Sequence, residues 1–127
     1  GAAFFVELMA ATVSMALGSQ WAVETIYSGI AQGLGAEIVF ALVAYRRFNA
    51  VIVSVAGAVS FAFEWVLELF LSGHLEKGVL YNAIYLVCGA LSGVVLAGIL
   101  AWALTSALAK TGALDRFASG RGARELV

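Results

Sequence analysis

The sequence predicts an all-α integral membrane protein with four transmembrane helices, and three observations carry that expectation. Of 127 residues, 63% are hydrophobic and 12% charged, with a mean hydropathy of +1.00, which leaves too little polar surface to wrap a small water-soluble domain. The apolar residues gather into four stretches near the roughly 20 residues that a hydrocarbon core about 30 Å thick demands of a helix. Short polar connections with uneven basic content separate them.

The first span, residues 2–18, carries Glu7 on a stripe with Ala11, Ser14 and Gly18 that is polar and small enough to face a bundle interior. In the second, residues 28–45, the helical rise of about 1.5 Å per residue puts Gln32 roughly one turn inside and Glu37 near mid-membrane. The third, residues 50–71, holds Glu68 within a turn of its outer end and Glu64 one turn deeper. On the fourth, residues 81–108, Asn82, Tyr85, Gly89 and Ser92 form a stripe leading in from outside. Residues 1–109 read as one transmembrane domain and 110–127, KTGALDRFASGRGARELV, as a polar cytoplasmic tail, disordered or interfacial. Small-residue rows at Gly29 and Gly33, and at Gly89, Gly93, Ala97 and Ala101, let helix backbones approach closely in lipid. They serve either the bundle itself or the docking of another subunit.

Basic residues are retained on the cytoplasmic side. The connection at residues 19–27 has none, Arg46 and Arg47 occupy the next, Lys77 stands alone in the third, and Lys110, Arg116, Arg121 and Arg124 fill the tail. This alternation places Arg46, Arg47 and the C-terminus inside, and Trp21 and His74 outside. Gly1 then falls inside, within an apolar stretch without a basic leader, which reads as a chain whose beginning is missing.

The near-neutral formal charge of −1 leaves no basic excess for phosphates, which argues against nucleic-acid binding. A single cysteine, Cys88, reads as an inert packed thiol, and without a histidine or cysteine cluster metal binding has no support. His74, in SGHLEKG, reads as a solvated loop histidine. Nucleophile–base arrangements and phosphate-binding glycine loops are absent, so the chain is not read as an enzyme and no cofactor is implied.

What remains is acidic. Glu7, Glu37, Glu64 and Glu68 lie in the spans and Glu24 in the outer connection, with no basic residue inside a span. Unless they are protonated or share hydrogen bonds, an external cation or a water-filled cavity compensates them. Glu64 and Glu68, four apart, share a helix face that a positive ligand would relieve of repulsion, and Phe61 and Trp65 flank it with rings that attract cations. Glu68 reaching the outer interface, Trp65 facing lipid and Glu24 as a solvated surface acid are the plainer alternatives. Together these faces outline a pocket open outward.

Residues 29–49, GIAQGLGAEIVFALVAYRRFN, resemble the QGxGAExxFAxxxYRR(F/W) signature of the YkoE-type substrate-binding (S) components of energy-coupling factor transporters. The preceding GAAFFVELMAATVSMALGSQW looks like that family's segment ending in a Gly-Ser-x-Trp turn, and SFAFEWVLELF looks like its fifth helix. The resemblance covers essentially the whole chain. It implies a six-helix bundle of which these are the last four helices, the first two being absent. It also implies a subunit of an ABC-type importer in a bacterial cytoplasmic membrane, which captures thiamin or its hydroxymethylpyrimidine precursor near the outer face. Its partners would be a transmembrane coupling (T) subunit and cytoplasmic ATPases.

On that reading Glu37 is the candidate partner of the aminopyrimidine, supported by Gln32. Glu64 and Glu68 favour the thiazolium, and Trp21, Tyr27, Trp65 and Tyr85 are candidates for stacking, with Asn82 and Glu7 on the same pocket faces. Two other readings stand beside it: a small proton-coupled multidrug cation exporter using Glu7, and a membrane interaction subunit without ligand.

Overall fold

The computed structural model describes residues 1–114. Within them the chain folds as α1 (Ala2–Ala16), α2 (Glu24–Leu42), α3 (Ala50–Leu71), a 3₁₀ turn (His74–Lys77), α4 (Val79–Ser92), a π-helical segment (Gly93–Leu100) and α5 (Ala101–Lys110). The last three run on as one helix, Val79–Lys110, which with α2 and α3 is long and apolar enough to cross a membrane. Helix α1 is apolar but has 15 residues, about 22 Å of helix, shorter than the expected span. The tail expected at 110–127 lies outside the described residues, apart from Lys110, which ends α5, and the turn that follows.

The helices pack as a row in chain order: α1 on α2, α2 on α3, and α3 on α4 and the π-helical segment. Among the described residues α1 touches no helix but α2. Small residues set the spacing. A Cβ on Gly29 would meet the Ala11 side chain, and one on Gly33 would sit 3.1 Å from the Phe4 Cα. At the other side of the row Gly57 of α3 and Gly93 meet backbone to backbone, and the Phe61 ring fills the space over Gly89. The small-residue rows are therefore used inside the bundle.

Helix ends fix what lies at each end of the row. Helix α2 begins at Glu24, four residues before the expected start of its span, so Glu24 stands in its first turn and not in the connection. A carboxylate there complements the unpaired N–H groups of the helix start. Helix α3 opens at the opposite end, where the Asn49 side chain accepts from the Ile52 N–H at 2.9 Å. Between α3 and α4 the chain reverses through Gly73 (φ +64°) and Gly78 (φ +83°), which bracket the 3₁₀ turn in conformations that suit glycine. Cys88, expected to be packed, is exposed on α4.

Candidate functional site

A cavity of about 740 Å³ opens at the end of the row formed by the start of α2, the end of α3, the 3₁₀ turn and the start of α4. Its wall includes Glu24, Glu64 and Glu68, the rings of Trp21, Tyr27, Tyr81 and Tyr85, and His74 and Lys77. Three carboxylates against one ammonium give it a field that favours cations. The ammonium is itself engaged, with Lys77 Nζ 5.2 Å from the centre of the Tyr81 ring.

Contacts between α2, α3 and α4 hold several of the wall residues in place. The Ser28 hydroxyl donates to Glu64 and accepts from Gln32 Nε2 at 3.0 Å, a relay that ties α3 to α2 and aligns one donor after another on the carboxylate. Gln32 and Glu64 also border a second hollow of about 200 Å³ beside Ser60, Phe61, Gly89 and Ser92, so Glu64 stands between the two spaces. Tyr81 and Tyr85, one helical turn apart on α4, stack at 5.9 Å with planes 8° apart, and Phe61 of α3 meets Tyr85 at 5.4 Å. The aromatic wall is therefore continuous from α3 to α4.

Five of the sequence candidates thus come together at the cavity: Trp21, Tyr27, Glu64, Glu68 and Tyr85. Gln32 reaches it through Ser28. Asn82 acts on its rim, where its Nδ2 donates to the carbonyls of His74 at 2.6 Å and Gly78 at 3.0 Å and ties the 3₁₀ turn to α4. Glu7 is half-buried, its Cβ within 3.2 Å of where a Gly33 Cβ would lie, at the contact of α1 with α2. Trp65 is not part of the cavity wall, and its buried Nε1 has no partner.

Glu37 stands apart from this cavity. It was expected near mid-membrane beside the pocket, but α2 starts at Glu24 and ends at Leu42, which puts Glu37 near the far end of the helix. There its carboxylate accepts from the Phe4 N–H at 3.1 Å and from the Tyr45 hydroxyl. Tyr45 follows Ala44 in the left-handed region, at φ +56° and +52°, and its bond to Glu37 pins this turn. The neighbouring carboxylate raises the Tyr45 phenol above its ordinary value, because ionisation would break the bond and set two negative charges side by side.

His74 is the residue that the sequence reading missed. It is 5% exposed, not solvated. Its ring stands edge-on to Tyr81 at 5.6 Å and Tyr85 at 5.1 Å, and its Nδ1 lies 3.7 Å from Glu68 Oε2. The glycines bracketing HLEK were a visible signal of a tight turn, but what the turn folds against comes from α3 and α4. Among the described residues no three His, Cys, Asp or Glu side chains converge as they would on a metal ion.

Comparison with known proteins agrees with this architecture. A family model described as the permease component of an ABC-type cobalt transport system matches residues 1–63. The protein named HMP/thiamine permease protein YkoE of Bacillus subtilis (strain 168) is 37% identical over 121 residues, covering 95% of this chain and 61% of that relative. A crystal structure of an S component of an energy-coupling factor transporter superposes with a TM-score of 0.92 at 36% identity, over 98% of this chain and 64% of that one. The chain therefore spans a little over three fifths of the length of each.

Proposed function

Because this chain belongs to the YkoE-type S components of energy-coupling factor transporters, we propose that it contributes the substrate-capture site of a vitamin importer, for thiamin or its hydroxymethylpyrimidine precursor. The acidic, aromatic-walled cavity carries this reading. Thiamin offers a cationic thiazolium, which gains from carboxylates and ring faces in a site shielded from water, and an aminopyrimidine that pairs with a carboxyl or amide group. Glu64 and Glu68 favour the positive ring, with Trp21, Tyr27 and Tyr85 as the stacking surfaces and the Gln32–Ser28 relay setting the Glu64 carboxylate. Glu37 ties α2 to α1 through the Phe4 N–H, Glu7 lies at the same helix contact, and Asn82 secures the rim.

The excess of basic residues around Arg46, Arg47 and the C-terminus sets that end inside a bacterial cytoplasmic membrane, so the cavity opens outward. Release inward then requires energy from partners, a coupling T subunit and cytoplasmic ATPases, and this subunit performs no chemistry on its ligand. No feature of the cavity favours the proton-coupled exporter, whose carboxylate, Glu7, lies at the α1–α2 contact.

The test is thiamin binding by the full-length protein in detergent, read from intrinsic tryptophan fluorescence, since Trp21 lines the cavity. Saturable sub-micromolar quenching is expected. Absence of quenching by both thiamin and hydroxymethylpyrimidine overturns the vitamin reading.

A further inference from the structure

We propose that Glu68 and His74 form a two-point recognition pair for the edge of an amino-substituted nitrogen heterocycle. The carboxylate accepts from the ligand's exocyclic N–H, and the imidazole Nδ1–H donates to the adjacent ring nitrogen. This rests on the small-molecule reading of the cavity and assigns to it a residue, His74, that neither the signature motif nor the acid pattern singles out.

Glu68 Oε2 and His74 Nδ1 are both withdrawn from water and both lack a hydrogen-bond partner. At 3.7 Å they are too far apart to satisfy one another. A buried polar atom left in that condition costs more than the net worth of an ordinary hydrogen bond, so both atoms gain when a partner reaches them from the cavity. Both residues line the 740 Å³ cavity, which has room for that partner.

The pair is also prepared in advance. His74 is 5% exposed, and its ring is set by two edge-on contacts, to Tyr81 and Tyr85, which are themselves stacked. The backbone beneath it is fixed by Asn82 through the His74 carbonyl. These ring contacts favour one orientation of the imidazole beside Glu68, and an orientation set before binding lowers the entropy cost of recognition. A carboxylate only accepts, and an imidazole nitrogen that carries hydrogen donates. Side by side they match a ligand edge in which a donor adjoins an acceptor, the pattern of an amidine-like N–C=N in an aminopyrimidine. The Tyr81–Tyr85 stack adjoins the pair and offers ring surface to the same heterocycle.

The test uses the full-length protein in detergent, titrated by calorimetry with hydroxymethylpyrimidine, with thiamin, and with the pyrimidine whose exocyclic amine is replaced by an oxo group. That replacement reverses donor and acceptor, so the wild-type protein is expected to bind the oxo compound about a hundredfold more weakly than the amine. In Glu68→Gln the amide can donate to the oxo group, and the discrimination is expected to shrink to about tenfold or less. His74→Phe keeps a ring against the tyrosines but removes Nδ1, and is expected to weaken the amine by about tenfold or more.

Discrimination is a ratio within each protein, so it survives a partial loss of folded material. If the wild type binds thiamin and both variants keep its affinity and discrimination, the pair is overturned while the vitamin reading stands. If the wild type binds neither thiamin nor hydroxymethylpyrimidine, both fall together.

Discussion

Gly57 of α3 and Gly93 at the start of the π-helical segment face each other so closely that a Cβ on either would collide with the other's backbone. This is where α3 meets the last helix, and the aromatic wall from Phe61 to Tyr85 depends on that spacing. In lipid such contacts are held by close backbone approach, because burial of apolar surface gives little preference between helix and lipid tails.

Replacing Gly57 by alanine is therefore expected to destabilise the fold by about 1–3 kcal/mol, the usual cost of overpacking a closed contact. Gly57→Leu is expected to lose the folded state altogether. Thermal unfolding in detergent checks both. An Ala variant as stable as the wild type would show that the two helices can separate without loss.

Glu37 belongs to the opposite end from the cavity, bonded to Tyr45 and to the Phe4 N–H. Glu37→Gln should leave thiamin affinity within about twofold while lowering the unfolding temperature. A large loss of affinity at unchanged stability would restore Glu37 to the binding site and contradict its placement on α2.

The Tyr45 phenol is raised by its bond to Glu37, and the sign of the pH effect follows. A raised pKa means the neutral phenol is favoured by folding, so this contribution is complete below the ordinary tyrosine value of about 10. It is lost as pH rises through the higher folded value. Ultraviolet difference titration should show the Tyr45 component, identified by what Tyr45→Phe removes, ionising later in the wild type than in Glu37→Gln.

Ser28 passes the Gln32 donor on to Glu64. Removing the hydroxyl in Ser28→Ala costs one hydrogen bond to a carboxylate, about 1.5–3 kcal/mol if the site is dry when occupied. Thiamin affinity is then expected to fall at least about tenfold. Gln32→Ala, which acts one step further away, should cost less. Calorimetric titration of the two variants orders them, and an inverted order would mean that Gln32 acts through the second hollow and not through Ser28.

Helices α2, α3 and Val79–Lys110, the use of small residues at their contacts, and five side chains of the cavity wall were legible from sequence. Each rests on local information: hydropathy over about 20 residues, or the shared face of residues three or four apart. The positions of Glu37 and His74 were not legible, for two different reasons.

Glu37 turned on a helix boundary. A start four residues early moves every depth along α2 by about 6 Å, enough to carry a side chain from mid-membrane towards one end. Polarity blurs that boundary, because Glu24 and Thr25 are as acceptable in the first helical turn as in a loop. His74 turned on contacts remote in sequence. Nothing in SGHLEKG distinguishes a solvated histidine from a buried one; Glu68 on α3 and Tyr81 and Tyr85 on α4 decide it. The sequence by itself determined which segments are apolar enough to enter a membrane and that Glu64 and Glu68 stand near the end of α3 that lies away from the arginines, since both follow from hydropathy and helical spacing along one segment. Only the tertiary structure decided which of those acids share a cavity and which histidine joins them, since that depends on how neighbouring helices are aligned against one another, and backbone contacts such as that of Gly57 with Gly93 set that alignment.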